Sequence, residues 1–322
     1  MLKHYVGLIA VIATQFAYAH PLNGCLKTFV DGKPPVVVNA TKINSDNTQI
    51  CFSSFAVNYS NYAKVPNWSA EYVTPQQLAM ARSISRKDDF HEESRIAPKQ
   101  RSLLTDYKRS GYDRGHLSPN GNRYNRVDQY ESFSLSNIVP QSPVGNQNQW
   151  REIEEAVRTI VTKTRQPVYI ITGTLFLDKK PRTIGKSKVY VPSHLYKAVY
   201  FPNTQVASAY VIVNDDNARK DVVPIAQLQS YTQTLLFPSL MGSLVVARKY
   251  DLPYSANAAY KQKNINISTS GASNIFSIMP SANALPSEDI KEKIKEKVVK
   301  FELPKLNKST IKKELESLGN VF

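Results

Sequence analysis

Cysteine is nearly absent from this chain. Its 322 residues contain two, Cys25 and Cys51, which excludes a disulfide-rich scaffold and also a metal site of the Cys-x-x-Cys type, because no second pair exists. Long apolar runs are missing as well. The most apolar stretch near the N-terminus, Val6 to Phe16, is well short of the roughly 20 residues that span a bilayer, and no later segment is apolar enough to span one. Acidic residues are scarce relative to basic ones, 26 against 41, giving a formal charge of +15 at pH 7. That surplus points toward a polyanion such as nucleic acid, lipopolysaccharide or an anionic membrane surface, and charge alone does not choose among them.

What is present begins with an address. Lys3 and His4 form a short positive end, the apolar stretch follows, and Ala17-Tyr18-Ala19 has the small-x-small pattern of a cleavage site. We therefore expect residues 1–19 to be a signal peptide and the mature protein to be exported, either periplasmic or secreted, and soluble. An uncleaved anchor is the alternative. Loss of Lys3 with the leader leaves 40 basic against 26 acidic residues, a net +14. In an oxidising compartment Cys25 and Cys51 are expected to form a disulfide that staples the N-terminal arm without any part in catalysis, the alternative being two unpaired thiols.

With 42% hydrophobic and 10% aromatic residues, the chain can bury the core of one large domain. Cys51 to Val57 and Asn67 to Val73 read as strands separated by Pro66, and Pro75 to Ser85 as a short helix. Arg86 to Arg109 is polar and aperiodic. Phe133 to Val139 reads as a strand, followed by a helix over Asn146 to Thr162 with Trp150, Ile153, Val157, Ile160 and Val161 on its apolar side. Val168 to Phe176, Lys188 to Phe201 and Ala207 to Asn214 read as further strands. Strands on both sides of the helix, without βαβ alternation, predict an α+β fold.

We assign residues 20–260 to this domain, 261–286 to an Asn-, Ser- and Ala-rich linker, and 287–322 to a Lys/Glu-rich helical tail with Ile290, Ile294, Val298 and Phe301 at helical spacing. The tail carries nine Lys and seven acidic residues, only +2. The positive surplus thus lies in residues 20–285, together with the motif described next.

Tyr112-Asp113-Arg114-Gly115-His116, then Asn137, then Asn146 to Glu154, place a general base, a cation, a neutral oxygen ligand and a carboxylate within about forty residues. Hydrolysing a phosphodiester requires an activated water, neutralisation of charge on the phosphate oxygens and help for the departing oxygen. His116 is the only histidine in the group and, with an imidazole pKa near 6.5, the candidate base. Arg114 lies two residues earlier, so on a strand it shares a face with His116 and can grip a phosphate through its guanidinium fork; Asp113 and Gly115 would face the other way. An Asp113–Arg114 surface ion pair is the structural alternative for these two.

Asn146 is either a helix N-cap or a hard oxygen ligand to Mg²⁺, an ion that takes few protein ligands and keeps most of its waters. Steps of four along the helix lead from Asn146 to Trp150, Glu154 and Arg158. Glu154 can accept a hydrogen bond from a metal-bound water, and Arg158 can make a second phosphate contact. A solvated Glu154–Arg158 pair is the structural alternative.

Asp113-Arg114-Gly115-His116, together with Ser136-Asn137-Ile138-Val139-Pro140-Gln141 and the spaced Asn146-Gln147, Trp150 and Glu154, resembles the DNA/RNA non-specific endonucleases. These are the ββα-metal or His-Me finger nucleases, a family that includes secreted bacterial nucleases and mitochondrial endonuclease G. A weaker likeness extends over roughly residues 50–250. The resemblance implies a central antiparallel sheet bearing the ββα-metal finger. It implies His116 as general base, Asn146 as the direct ligand of one Mg²⁺, for which Mn²⁺ could substitute, and Glu154 as holder of a metal-bound water. Arg114 and Arg158 would contact phosphate, and Asn137 would support the metal and base. The implied reaction is in-line attack by water leaving 5′-phosphate ends. Ser118 and Gly145 depart from the usual residues beside the motif, and neither removes a reacting group.

The sequence therefore predicts an exported Mg²⁺-dependent endonuclease acting on DNA and RNA. The alternative is a non-catalytic polyanion-binding surface protein that retains the nuclease fold. A homodimer, and an inhibitor or other partner engaged through the tail, are compatible with either.

Overall fold

A computed structural model describes residues 21–268. The leader, the linker beyond 268 and the helical tail proposed for 287–322 lie outside the described residues.

Runs rich in Val, Ile, Tyr and Ala form a seven-stranded sheet whose strands are all antiparallel to their neighbours. In chain order they are β1 (Asn47–Cys51), β2 (Phe55–Ser60), β3 (Val65–Val73), β6 (Val168–Leu175), β7 (His194–Phe201), β8 (Val206–Val213) and β9 (Lys220–Val223). Across the sheet the order is β9-β8-β7-β6-β3-β2-β1. The numbers β4 (Asp113–His116) and β5 (Ile138–Gln141) belong to a separate antiparallel pair, in register from Asp113↔Gln141 to His116↔Ile138.

Both faces of the sheet are covered, so alternate residues enter two different cores. Leu195, Val199, Tyr210 and Ile212 face the β4–β5 pair and the helix α3 (Arg151–Thr164). Tyr196, Ala198, Ala209 and Val211 face the N-terminal arm and the helix α4 (Ile225–Thr232). The arm packs Leu22, Phe29 and Val30 onto that second face, with Phe29 edge-on to Trp68 at 5.9 Å. It is tied to the end of β1 by the expected Cys25–Cys51 disulfide.

The helix α3 buries Ile153, Val157, Ile160 and Val161, a stripe that contributes about 1.5–3 kcal/mol per side chain relative to exposure. It ends at Arg165, which adopts a left-handed conformation with φ 54°. Two shorter helices complete the setting of the site. α1 (Pro75–Ala81) is capped by Thr74, which shares a capping box with Gln77. α2 (Arg126–Ser132) is capped by Asn125, whose side chain accepts from the Asp128 N–H. The α+β class and the central antiparallel sheet are thus observed, with β4, β5 and the following helix forming a ββα unit.

Several local expectations are corrected. Pro66 does not separate two strands; it lies within β3, opposite the register shift between Asn58 and Tyr59, where the ladder does not need its missing N–H. The strand expected from Phe133 begins only at Ile138, because Phe133 closes α2 and Leu135–Asn137 form a 3-10 turn started by the Ser134 hydroxyl. Lys220–Val223 and Ile225–Thr232 form a strand and a helix that were not expected from the sequence. The chain from 262 to 268 stays packed on the domain, with the Ser268 N–H donating to Lys249 O at 2.8 Å. Among the described residues no helix is long and apolar enough to cross a membrane.

Candidate active site

A cleft of about 940 Å³ opens where β4, the start of the α3 helix and the loops around residues 86–90 and 104–121 meet. It is lined by Arg114, His116, Asn146, Glu154 and Arg158. Five of the six expected site residues are therefore brought together, from two separate stretches of sequence.

His116 closes β4. Its ring sits between Phe90 and Phe133, at centroid distances of 5.5 and 4.8 Å. Nε2 is buried without a hydrogen-bond partner, and the residue lines the cleft. Burial above all, and then the nearby Arg86, Arg123 and Arg114 cations, push the imidazole pKa down to about 3. The ring is therefore neutral at pH 7 and able to accept a proton. A bound phosphate would offset the arginine field and raise the basicity of the ring when substrate is present.

Asn146 is not an N-cap. Ser142 caps this helix, accepting from the Gly145 N–H, and Asn146 already has helical angles, φ −64° and ψ −50°. Its Nδ2 donates to Asp113 Oδ2 at 3.0 Å, and the neighbouring Gln147 Nε2 donates to the same oxygen at 2.8 Å. A carboxylate can only accept, so Asp113 dictates which way the amide points and presents Asn146 Oδ1 to the cleft. Asp113 was expected to face away or to pair with Arg114; instead it orients the Asn146 amide.

The helix between Asn146 and Trp150 makes a wide π turn before α3 begins. A continuous α-helix would carry Glu154 about 80° out of line with Asn146 over eight residues. The wide turn takes back part of that rotation, which is a use of π turns often seen at functional sites. Trp150, expected on the apolar side of the helix, lies buried in the core with Ile153 and Val157.

Arg114 is exposed at the cleft, its guanidinium 4.2 Å above the Phe90 ring. The other cleft arginines have carboxylates at hand: Arg86 with Asp88 at 2.6 Å and Arg151 with Glu155 at 3.4 Å. Arg158 stands 4.0 Å from Glu154 and donates to Asn122 Oδ1 at 3.4 Å. Among the described residues Arg114 has no such carboxylate, so its fork is available to a phosphate. Burial raises the Glu154 pKa, while Lys197 and Arg158 pull it down.

Gly115 is required by Gln141, the ladder partner of Asp113. A Cβ at this position would lie 2.1 Å from Gln141 Oε1, and the pairing of β4 with β5 contains no bulge.

Asn137 does not line the cleft and touches no reacting atom. Its Oδ1 accepts from Ser69 Oγ at 2.7 Å and from the Ser118 N–H at 3.0 Å. Its Nδ2 donates to Ser118 O at 2.8 Å and to Ser132 O at 2.9 Å. The amide is saturated, and it pins the chain just after His116 to β3 and α2. It is a positioning residue, and it acts through the backbone beside His116.

Beneath it the sheet face is polar where an apolar core would be expected. Ser69, Thr172 and Lys197 form a row across β3, β6 and β7. Lys197 is buried and donates from Nζ to Thr172 Oγ1 at 2.7 Å, with the Trp150 ring 5.0 Å away. Two residues along β3, buried Glu71 is paired with buried Arg123 and accepts from Asn122 Nδ2 at 3.1 Å on each oxygen. Asn122 thus links this buried pair to Arg158. None of Ser69, Glu71, Asn122, Arg123 or Lys197 was singled out for such a role from sequence, although a lysine within the apolar run 195–201 and a glutamate in β3 are visible anomalies there.

The residues present fit a divalent ion of the hard, weakly liganded type. Asn146 Oδ1 faces the cleft with its amide already oriented, and Glu154 stands nearby on the same helix. Among the described residues no group of three or more His, Cys, Asp and Glu forms a metal cluster; an Asn-anchored ion with a large water shell needs none.

Two outcomes are expected. In the ligand-free protein, NMR titration should find the His116 ring neutral from pH 8 down to about pH 5, and a midpoint near 6.5 would contradict the buried setting. The unfolded ring binds a proton near 6.5 and the folded ring only near 3, so this residue lowers stability as pH falls through that window. Second, Asn137→Ala leaves four buried polar groups without a partner, at about 1–3 kcal/mol each. Urea unfolding should show a loss of several kcal/mol; an unchanged midpoint would contradict the positioning role.

A sequence profile of the DNA/RNA non-specific endonucleases matches residues 33–240, more than half of the chain. The bovine protein "Endonuclease G, mitochondrial" is 35% identical over 208 residues, covering 59% of this chain and 69% of that protein. "Nuclease C1" of Cunninghamella echinulata var. echinulata is 31% identical over 175 residues, 50% of this chain and 69% of that protein. A crystal structure of the EndoG/EndoGI complex, which concerns the mechanism of EndoG inhibition, superposes with a TM-score of 0.55 at 30% identity, covering 62% of this chain and 92% of that one. With its ββα unit carrying His116 and Asn146 on the walls of one cleft, the chain belongs to the DNA/RNA non-specific endonuclease family and is an endonuclease.

Proposed function

We propose that this protein is an exported, Mg²⁺-dependent nuclease that hydrolyses DNA and RNA without sequence preference and leaves 5′-phosphate ends. The observation that carries this reading is the pairing of Asp113 with Asn146, which presents a neutral oxygen into the same cleft as a neutral, deprotonated His116.

Arg114 and Arg158 bind the phosphate from two sides of the cleft and set the scissile bond against His116. The substrate backbone is held by charge and phosphate geometry alone, so little base preference follows. His116 takes a proton from the attacking water as the new bond to phosphorus forms, and its low basicity in the free protein rises as phosphate offsets Arg114 and Arg86. Asn146 would hold Mg²⁺ directly and Glu154 through a water. When bound, the ion supplies charge neutralisation on the phosphate and on the departing 3′ oxygen. The hydrophobic packing of Phe90 and Phe133 fixes the imidazole, so little ordering remains to be done when substrate arrives.

Export is supported by the pattern of residues 1–19 and by the Cys25–Cys51 disulfide, which suits an oxidising compartment. N-terminal sequencing of the mature protein should begin at His20.

Digestion of plasmid DNA and of RNA tests the reading. Chelation with EDTA should abolish both activities, and His116→Ala should lower kcat by about 10²–10⁴-fold while nucleic-acid binding persists. Undiminished cutting in EDTA, or wild-type turnover by His116→Ala, would sink it.

A further inference from the structure

Residues 179–188 hold five cations, Lys179, Lys180, Arg182, Lys186 and Lys188, and no acidic residue. All five are exposed. Among the described residues none of them stands within ion-pair distance of a carboxylate, unlike Arg86 and Arg151 in the cleft. Residues 183–190 fold as a small hairpin, with Thr183 opposite Tyr190 and Ile184 opposite Val189, and Lys179 and Lys180 stand on the chain leading into it.

This hairpin is fixed to the rim of the cleft. Asp106 is buried beneath it and accepts from the Ser187 N–H at 3.0 Å with one oxygen, and from the Leu103 N–H at 2.9 Å with the other. Gly185 has φ +64° and lies so close that a Cβ there would stand 2.2 Å from Asp106 Oδ1. The residues that flank Asp106, namely Leu104, Tyr107 and Lys108, line the cleft. Arg182 lies over the ring of Tyr112, another cleft residue, at 5.9 Å. At the other end, the Tyr190 N–H donates to Ala63 O at 3.0 Å and the Tyr190 hydroxyl donates to that of Tyr62 at 3.2 Å. The cations are therefore carried on a backbone held at both ends, continuous with the site.

We propose that the segment 179–188 is a second nucleic-acid-binding element, which holds backbone phosphates of the substrate outside the scissile position. The inference rests on the reading of the cleft as a nuclease site. It goes further in assigning affinity for long substrates to residues that take no part in the chemistry. Fixed, unpaired cations suit phosphates, because neutralising them releases condensed counterions without first breaking ion pairs in the protein. The exposed Tyr62 and the half-buried Tyr190 offer rings beside those charges, a combination common on strand-binding surfaces.

The test substitutes Lys179, Lys180, Lys186 and Lys188 together by Ser in the full chain and leaves Arg182 and the cleft untouched. Binding of a duplex of about 30 base pairs is followed by fluorescence anisotropy in EDTA across a salt series, so that no cleavage intervenes. The slope of log K against log salt should shrink by about 3 to 4, near 0.9 for each phosphate that the variant no longer neutralises. With Mg²⁺ present, KM for the long duplex should rise at least about tenfold with kcat unchanged, while cleavage of a short oligonucleotide should stay at the wild-type rate. A wild-type salt slope in the variant overturns the proposal. So does an equal loss on the short oligonucleotide, or a loss of binding to anionic vesicles with duplex binding intact. If the wild type binds the duplex but cuts neither substrate, the nuclease reading fails while the salt slope still decides the role of the hairpin.

Discussion

The site depends on a row of buried polar groups in the middle of an otherwise apolar sheet face. Burying Glu71, Arg123 and Lys197 is costly unless each finds charged and hydrogen-bonded partners. The partners at hand are Asn122, Ser54, Thr172 and, more distantly, Glu154. Satisfying that row fixes the segments that carry the chemistry. Asn137 reaches from Ser69 to both sides of Ser118 and so holds the end of β4; Asn122 reaches from Glu71 to Arg158 and so holds the far side of the cleft. Removing one member would leave its partners unpaired in a place water does not reach, so the row behaves as one unit.

On this base the chain sets two devices of opposite character. The imidazole of His116 is kept neutral by aromatic packing and by arginines, which leaves it able to take a proton. The amide of Asn146 is aimed by a carboxylate that is not itself in the reacting position. A π turn brings Glu154 closer beneath it than a regular helix would. Strand, turn and helix thus each contribute one constraint, and none of the groups concerned needs a long flexible side chain to reach the cleft.

Much of this was legible in the sequence because its signals are local. Richness in Val, Ile and Tyr marked β6 to β8, and the apolar spacing of Ile153, Val157, Ile160 and Val161 marked α3. The spacing of His116, Asn146 and Glu154 pointed to one cleft. What was not legible depends on partners far apart in the chain. Asp113 looked like a partner for Arg114, its neighbour in sequence, and turned out to hold Asn146, thirty-three residues on. Asn137 stands in the motif as a supporting residue, but the four partners that saturate its amide, on β3, α2 and the chain after His116, are visible only in the fold. Lys197 could be recognised as a charge in an apolar strand, but not the Thr172 that receives it, since that pairing is decided by sheet register. Pro66 misled for the same reason, because only the bulge opposite it explains its place within a strand.

The central claim is that Asp113 holds the Asn146 amide so that its oxygen, and not a cluster of carboxylates, anchors one divalent ion opposite His116. Anomalous diffraction from crystals soaked in Mn²⁺ tests this most directly. The account predicts a single strong peak within about 2.3 Å of Asn146 Oδ1, on the side of the cleft facing His116, and its loss in Asn146→Ala. A peak bonded to Asp113 or Glu155 with Asn146 uninvolved, or a peak that survives Asn146→Ala, would contradict it.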